Sequence, residues 1–491
     1  MRGVVCAWCV VAGLSSCRAA TTSDFGGRAV INAAAVGAKI PITSRSEQAI
    51  ALFLLGRARN ENLQPHEGYA YFQQAVALDP AFAMGEYALA STAPTAKQVR
   101  EHADKAFALL HQVSDGERLL ILAMRARLDA DPVSVRQYAE TLVTRYPRDE
   151  RAHWVLGNAC SAQQQYDKAI DHFQQAIALN PQYALAYNSV GYAQRSAGNT
   201  GAAELAFQRY IALVPNDPNP YDSYAELLMA MGRFDESIGQ YRKALSIDPH
   251  FSGSFVGIAA NHMFAGRYPE AIAEAERYVS VARDDHERRA ALLTLALSHL
   301  DHGGTDDALG AMDRMYQVAH VIGDTASMSA DLTAIADILL DAQRTDAAED
   351  RYRQADALMA TSSLTANVKQ DGALLTSYNR ARIARARHDT LTARAEAATF
   401  LRDAVSRGSS ERVRQAHELN GLLALDARHF DRSLAALALA DQETPSVRYA
   451  IAMAYAGKDD RRKAGEITES ILHIYTLPTL PHVLVRARVR R

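Results

Sequence analysis

The feature that most constrains this chain is a period. Segments beginning at Glu150, Ala184, Pro218 and Ser252 lie 34 residues apart and repeat the same chemistry at the same offsets. A small residue stands eighth in each, as Gly157, Gly191, Ala225 and Ala259. Another stands twentieth, as Ala169, Ala203, Ser237 and Ala271. An aromatic ring fills the twenty-fourth position of the first three (Phe173, Phe207, Tyr241), and proline closes the same three at Pro181, Pro215 and Pro249. A repeat of this length is one supersecondary unit that buries its apolar face only by stacking on its neighbours.

The offsets have a steric reason. Two antiparallel helices of about a dozen residues approach closely only where side chains are small, and a bulky ring then fills the space beside the contact. Gly198, Gly232 and Gly266 share one offset, where the first helix of each pair ends and a left-handed residue is needed. Asp167 and Asp235 follow that turn and are placed to cap the second helix. Proline at the far end stops the second helix before the next pair begins. Alanine is abundant while glycine and proline number only 27 and 15, so helix is favoured throughout the 491 residues.

The pattern over 150–285 resembles the tetratricopeptide-repeat (TPR) family. That resemblance implies an all-α, right-handed superhelical solenoid of antiparallel helix pairs that works as a protein-protein interaction scaffold. The fourth repeat departs from it, with Ala275 at the aromatic offset and Arg283 in place of proline. An earlier unit from Ala49 to Phe82 fits through Leu55, Gly56, Gly68, Phe72, Ala75 and Pro80. Residues 83–149 are helical without a clean repeat, and Ser114–Arg118 opens a capped amphipathic helix, so 46–149 forms TPR and TPR-like helices. Over 286–476 the spacing returns in fragments: Ala348, Tyr352 and Ala355; Gly421, Ser433, Leu437 and Ala440; Ala452 and Ala464. This is expected of divergent repeats. The last segment, 477–491, carries Arg486, Arg488, Arg490 and Arg491 and is taken as a basic, frayed, solvated tail, with strand-like alternation over 482–490.

The N-terminus carries an address. Met1-Arg2 precedes an apolar stretch, Gly3 to Leu14, too short to span a bilayer. Leu14-Ser15-Ser16-Cys17 resembles the lipobox of bacterial lipoproteins. The resemblance implies that residues 1–16 are a signal peptide and that Cys17 is the lipidated first residue of the mature chain. Arg18 leans towards the periplasmic side of the outer membrane, since an aspartate there would resemble an inner-membrane retention signal. Residues 17–45 would then be a flexible tether. The alternatives are a secretory signal cut near Ala19-Ala20, or a cytosolic chain with a misassigned start. Besides Cys17 there are only Cys6, Cys9 and Cys160, which cannot form a disulfide framework.

In TPR arrays the first helix of each pair lines an inner groove. Carried onto this sequence, the groove presents Arg151, Trp154, Asn158 and Ser161, then Leu185, Asn188, Tyr192 and Arg195, then Asn219, Asp222, Glu226 and Met229. Rings and amides of this kind suit a peptide backbone. Trp154 stands either exposed as a binding anchor or packed on the preceding unit. A clamp for paired carboxylates is disfavoured, because Trp154, Asn219 and Ser223 occupy the places of its basic residues.

Other chemistry is not indicated. The net charge of -3 gives no reason to expect nucleic acid. His299 with His302, and the cluster Asp284, Asp285, His286 and Glu287, lack the spacing of a zinc hydrolase and fit solvated helix ends. There is no phosphate loop, dinucleotide turn or nucleophile elbow, and no cofactor is implied. Cys160 faces the interior of its helix pair, which makes it an inert thiol. The leading expectation is therefore a membrane-anchored scaffold without catalytic activity, whose partners are envelope proteins or peptides. A cytosolic TPR adaptor is the second reading and an enzyme hidden in 288–491 the third. Oligomeric state is left open.

Overall fold

The structure, a computed structural model, describes residues 29–30, 39–61, 65–93, 96–129, 131–362, 364 and 366–490. The signal peptide, Cys17 and most of the proposed tether lie outside the described residues. The described chain is helical apart from a short antiparallel pairing of Ala29–Val30 with Thr43–Ser44.

Contacts divide the chain into two units, one of residues up to 227 with 242–249, the other of 228–241 with 250–491. The first begins with α1 (Glu47–Glu61) and α2 (Pro65–Leu78), then α3 (Ala83–Thr92) and α4 (Ala96–Ala108). Next come α5 (Asp115–Leu128) with α6 (Pro132–Arg145), α7 (Glu150–Ala162) with α8 (Tyr166–Leu179), and α9 (Ala184–Ser196) with α10 (Thr200–Leu213). The division runs through α11 (Asn219–Ala230) and α12 (Phe234–Ile247). The second unit continues with α13 (Ser252–Phe264) and α14 (Tyr268–Val281), α15 (Asp285–His302) and α16 (Thr305–Val321), and α17 (Thr325–Asp341) and α18 (Thr345–Thr361). It closes with α19 (Ala366–Ala386) and α20 (Thr390–Ser406), α21 (Ser410–Asp426) and α22 (Phe430–Leu437), α23 (Pro445–Gly457) and α24 (Arg461–Leu472), and a lone α25 (Leu480–Arg490). Within each unit, successive helices pack pairwise and each pair stacks on the next, which is the solenoid architecture.

The small-and-ring rule is realised atom by atom. A Cβ at Gly157 would stand 2.5 Å from the ring of Phe173, and one at Gly191 would stand 2.6 Å from that of Phe207. Gly56 meets Phe72 in the same way in the first pair. Phe72, Phe173 and Phe207 are fully buried. In the second unit Gly421 receives Leu437, and the Ser433 hydroxyl donates to the Gly421 carbonyl at 2.8 Å.

The turn inside each pair from α7–α8 to α23–α24 is also constant. Gly198, Gly232, Gly266 and Gly303 have φ between +72° and +95°. Gln164, Gln343, His388, Arg428 and Asp459 take the equivalent place in other pairs, with φ between +58° and +65°. After each left-handed residue the next N–H returns to the fifth carbonyl back, as Asn199 to Gln194 and Asp389 to Ala384, both 2.9 Å. This is the Schellman closure. The capping expectation needs correction: α8 begins after Gln165, which makes no side-chain cap, and Asp167 lies inside the first turn. Asp235 likewise sits in the first turn of α12, where a carboxylate still meets the positive helix end, and it accepts from Arg267 at 2.7 Å.

Two terminal readings are also corrected. Lys39–Arg45 does not hang as a tether. The Ile40 N–H donates to Asp149, the Thr43 N–H and hydroxyl donate to Glu117, and the Arg45 N–H donates to Asp79, all at 2.7 Å. The reason is that Asp79, Glu117 and Asp149 are buried carboxylates at helix junctions, and each needs donors. The basic tail is not a strand and is solvated only in part, at Arg488 and Arg490. It forms α25, in which His482, Val483, Val485 and Arg486 are all buried. No helix among the described residues is long and apolar enough to cross a membrane.

Candidate peptide groove of the N-terminal unit

The first helices α7, α9 and α11 carry the predicted groove residues, and their side chains join helix to helix. The Trp154 indole N–H donates to the Ser189 hydroxyl at 3.0 Å. The Tyr192 hydroxyl donates to Ser223 at 3.2 Å, and Arg195 donates to Glu226 at 3.2 Å. These contacts link one first helix to the next along the stack, between residues 31 to 35 apart in sequence. Arg195 also lies over the Tyr192 ring at 4.9 Å, and that ring meets Phe207 edge-on at 5.2 Å. Asn219 accepts from the Tyr210 and Ser223 hydroxyls at 3.2 and 3.3 Å.

The predicted residues therefore divide. Tyr192, Arg195, Asn219 and Glu226 are connected through Ser223 and each other, Trp154 joins α7 to α9 separately through Ser189, and Asp222 is part-buried on α11. Trp154 is half-buried and packs on two clusters, one of Ala176, Tyr183 and Ala186 and one that includes Ala139 of α6, so neither expectation for it describes it fully. Asn158 is turned back along its own helix and donates to the Trp154 carbonyl at 2.9 Å. Arg151 is not available in the groove: Asp149 and the Ile40 carbonyl take its guanidinium. Ser161 and Met229 are buried, although the groove positions of related repeats would present them.

Asn188 is the exception within the row. It is 5% exposed, and its Oδ1 has no hydrogen-bond partner among the described residues. A buried carbonyl oxygen without a donor carries its full desolvation cost. Sequence reasoning placed Asn188 in the groove but had no means of finding this, since the missing donor is a three-dimensional fact.

A second polar group was missed. Arg57 and Glu61 on α1 pair at 3.5 Å in the field of Arg151, Asp149 and Tyr183. Burial pushes the Glu61 carboxyl up against the pull of Arg57, and pushes the Tyr183 phenol well up. Asp149 is held low by Arg151 and by N–H donors, which outweigh its burial. An Arg and a Glu one helical turn apart give an ordinary surface-pair signal in sequence, so only the fold reveals the cluster.

Cys160 is buried, and burial raises its thiol above the ordinary range. Asp284 is the N-cap of α15 and accepts from the Glu287 N–H at 2.8 Å, which accounts for that acidic cluster structurally. His302 packs on Tyr268 with ring centres 4.8 Å apart.

Comparison with known proteins agrees with the repeat assignment. A TPR repeat model matches residues 157–198 and a tetratricopeptide repeat model matches 228–296. No curated protein matches the chain. Among solved structures, one titled as a crystal structure of MamA is 24% identical, covering 31% of this chain and 90% of its own, with a TM-score of 0.28. Another, a thermophilic TPR protein in Thermus thermophilus, is 22% identical, covering 43% of this chain and 98% of its own, with a TM-score of 0.29. TPR proteins are generally non-enzymatic scaffolds, and repeats of this kind support a role in protein-protein interaction. The chain carries tetratricopeptide repeats in both of its units, within an all-α solenoid.

Proposed function

We propose that the row on α7, α9 and α11 receives a peptide segment of a partner protein, and that lipid on Cys17 holds the chain at the periplasmic side of a bacterial outer membrane. The observation that carries the first part is the pair of part-buried rings, Trp154 and Tyr192, whose polar atoms bridge neighbouring first helices through Ser189 and Ser223. Trp154 and Tyr192 offer a peptide apolar area at little entropic cost. What supports the second part is the run Leu14-Ser15-Ser16-Cys17 after a short apolar stretch.

The test is purification of the native-level chain from membrane and soluble fractions, with mass spectrometry of its N-terminal peptide and of co-purifying proteins. The proposal expects acylated Cys17 in the membrane fraction. It also expects a partner that Tyr192→Ala releases and Leu205→Ala, exposed on α10, does not. An unmodified Met1 in the cytosol would sink the anchor and favour a cytosolic adaptor. A partner indifferent to Tyr192→Ala would sink the groove.

A further inference from the structure

His153 on α7 and His172 on α8 bring two imidazoles together within one helix pair of the N-terminal unit. Their Nδ1 atoms are 3.4 Å apart and their ring centres 5.6 Å apart, so both nitrogens are aimed into the gap between the rings. His153 is 8% exposed, and its Nε2 lies 3.0 Å from the Pro147 carbonyl oxygen. A carbonyl only accepts, so Nε2 carries a proton and neutral His153 keeps a lone pair on Nδ1. His172 is half-buried and opens the pair to solvent.

Two features fit a metal ion better than a bare hydrogen bond. The first is the spacing. A ring N–H donates best at about 2.9–3.0 Å, so 3.4 Å is a long hydrogen bond. An ion held tetrahedrally, about 2.0–2.1 Å from each nitrogen, sets the two nitrogens about 3.3–3.4 Å apart. The second is the outer contact. Metal-bound histidines donate their remaining ring N–H to a carbonyl, carboxylate or water, and Pro147 already fills that place for His153. The charge around the pair is mixed: Asp171 and Glu140 favour a cation, while Arg136 opposes one. Burial, then His153 and Arg136, holds the His172 pKa below the ordinary histidine value, which keeps the ring in the neutral form that binds metals.

We propose that His153 Nδ1 and His172 Nδ1 together bind a divalent transition-metal ion of the class that imidazole prefers, zinc or copper(II), with water in the remaining positions. The proton that His172 Nδ1 donates in the free chain passes to its own Nε2 by exchange with water, so the neutral pair releases no net proton. Among the described residues no group of three or more histidines, cysteines and carboxylates is placed to hold a metal ion. The site is therefore a two-ligand clip between α7 and α8. It does not depend on the groove being a peptide site.

The experiment uses the untagged full chain, stripped with EDTA and desalted. Zinc chloride is titrated by calorimetry, and copper(II) chloride is followed by electron paramagnetic resonance. The expected result is one zinc per chain whose affinity falls by about tenfold or more in His153→Ala and in His172→Gln. His286→Ala, which alters the exposed histidine of the acidic cluster before α15, should leave it unchanged. Copper should show coupling to two imidazole nitrogens in the parent chain and to one in His172→Gln. Zinc should also slow hydrogen exchange of the α7 and α8 amides in the parent alone. Circular dichroism checks that the variants fold, and the copper spectrum of the parent needs no variant. No binding by the parent, copper held by fewer than two imidazoles, or zinc affinity unchanged in both folded variants would overturn the proposal and leave the pair an ordinary hydrogen bond.

Discussion

Gly191→Ala should destabilise the α9–α10 pair even though alanine is the better helix former. The added Cβ would lie 2.6 Å from Cε1 and Cζ of Phe207, which is 0% exposed and cannot swing clear. Overpacking of this kind costs about 1–3 kcal/mol. Removing a mid-helix glycine returns about 0.5–1 kcal/mol. The net expectation is a loss of about 1–2 kcal/mol, local to α9 and α10, because stability in a stack is a sum of unit and neighbour terms. Phe207→Leu alone should cost about 1–2 kcal/mol through lost contact and a residual cavity. In the double variant the leucine makes room for the new methyl, so the two losses should fall short of additive by about 0.5 kcal/mol or more. Native-state hydrogen exchange of the α9 and α10 amides reads the local opening energy directly. Gly239→Ala in α12 is the control, since a Cβ there meets nothing within 4 Å; it should stabilise by about 0.5–1 kcal/mol. Additive losses, or stabilisation at Gly191 matching that at Gly239, would refute the close-approach reasoning.

Two further outcomes are expected. Arg289 donates to both oxygens of Asp331, at 2.5 and 2.8 Å, and Asp331 is 2% exposed. Arg289→Ala should therefore cost about 3–5 kcal/mol in urea unfolding, and Arg289→Met with Asp331→Leu should recover most of it. His482 is held neutral by burial and by Arg486, its pKa lowered to about 4. An unfolded histidine takes up its proton near 6.5, so the stabilisation is present above that pH and is lost as pH falls from 6.5 towards 4. Burial pushes Asp301 up to about 6, and it acts in the opposite sense over part of the window. The test is therefore the difference between the parent chain and His482→Gln, whose melting temperature should fall less steeply with acid.

The first four repeats were legible because steric necessity fixed their residue types. A glycine under a ring, a left-handed glycine and a closing proline each leave a mark at a constant offset. The second unit lost those marks for two physical reasons. From α15 on, several helices lengthen to 17 or more residues, so the 34-residue frame slips although the pairing persists. The left-handed turn persists as well but is filled by Gln343, His388, Arg428 and Asp459. Such residues tolerate that backbone at a cost of about 1–2 kcal/mol, and no glycine remains to reveal it. α25 was misread because its arginines look solvated in isolation. Their partners, Asp301 and Asp341, lie far away in sequence, 189 residues in the case of Arg490 and Asp301. The groove residues were found by family resemblance, but which were spent on neighbours depended on contacts that no local pattern encodes, such as Arg151 on the Ile40 carbonyl, 111 residues away.

The central claim is that the inner row of the N-terminal unit holds a partner, and site-specific photocrosslinking tests it most directly. A benzophenone side chain in place of Tyr192, with native-level expression and irradiation of intact cells, should give one discrete adduct that mass spectrometry identifies as another protein. The same group in place of Leu205, 69% exposed on α10, should give none. Adducts of equal strength from both positions, or from Leu205 alone, would contradict the account.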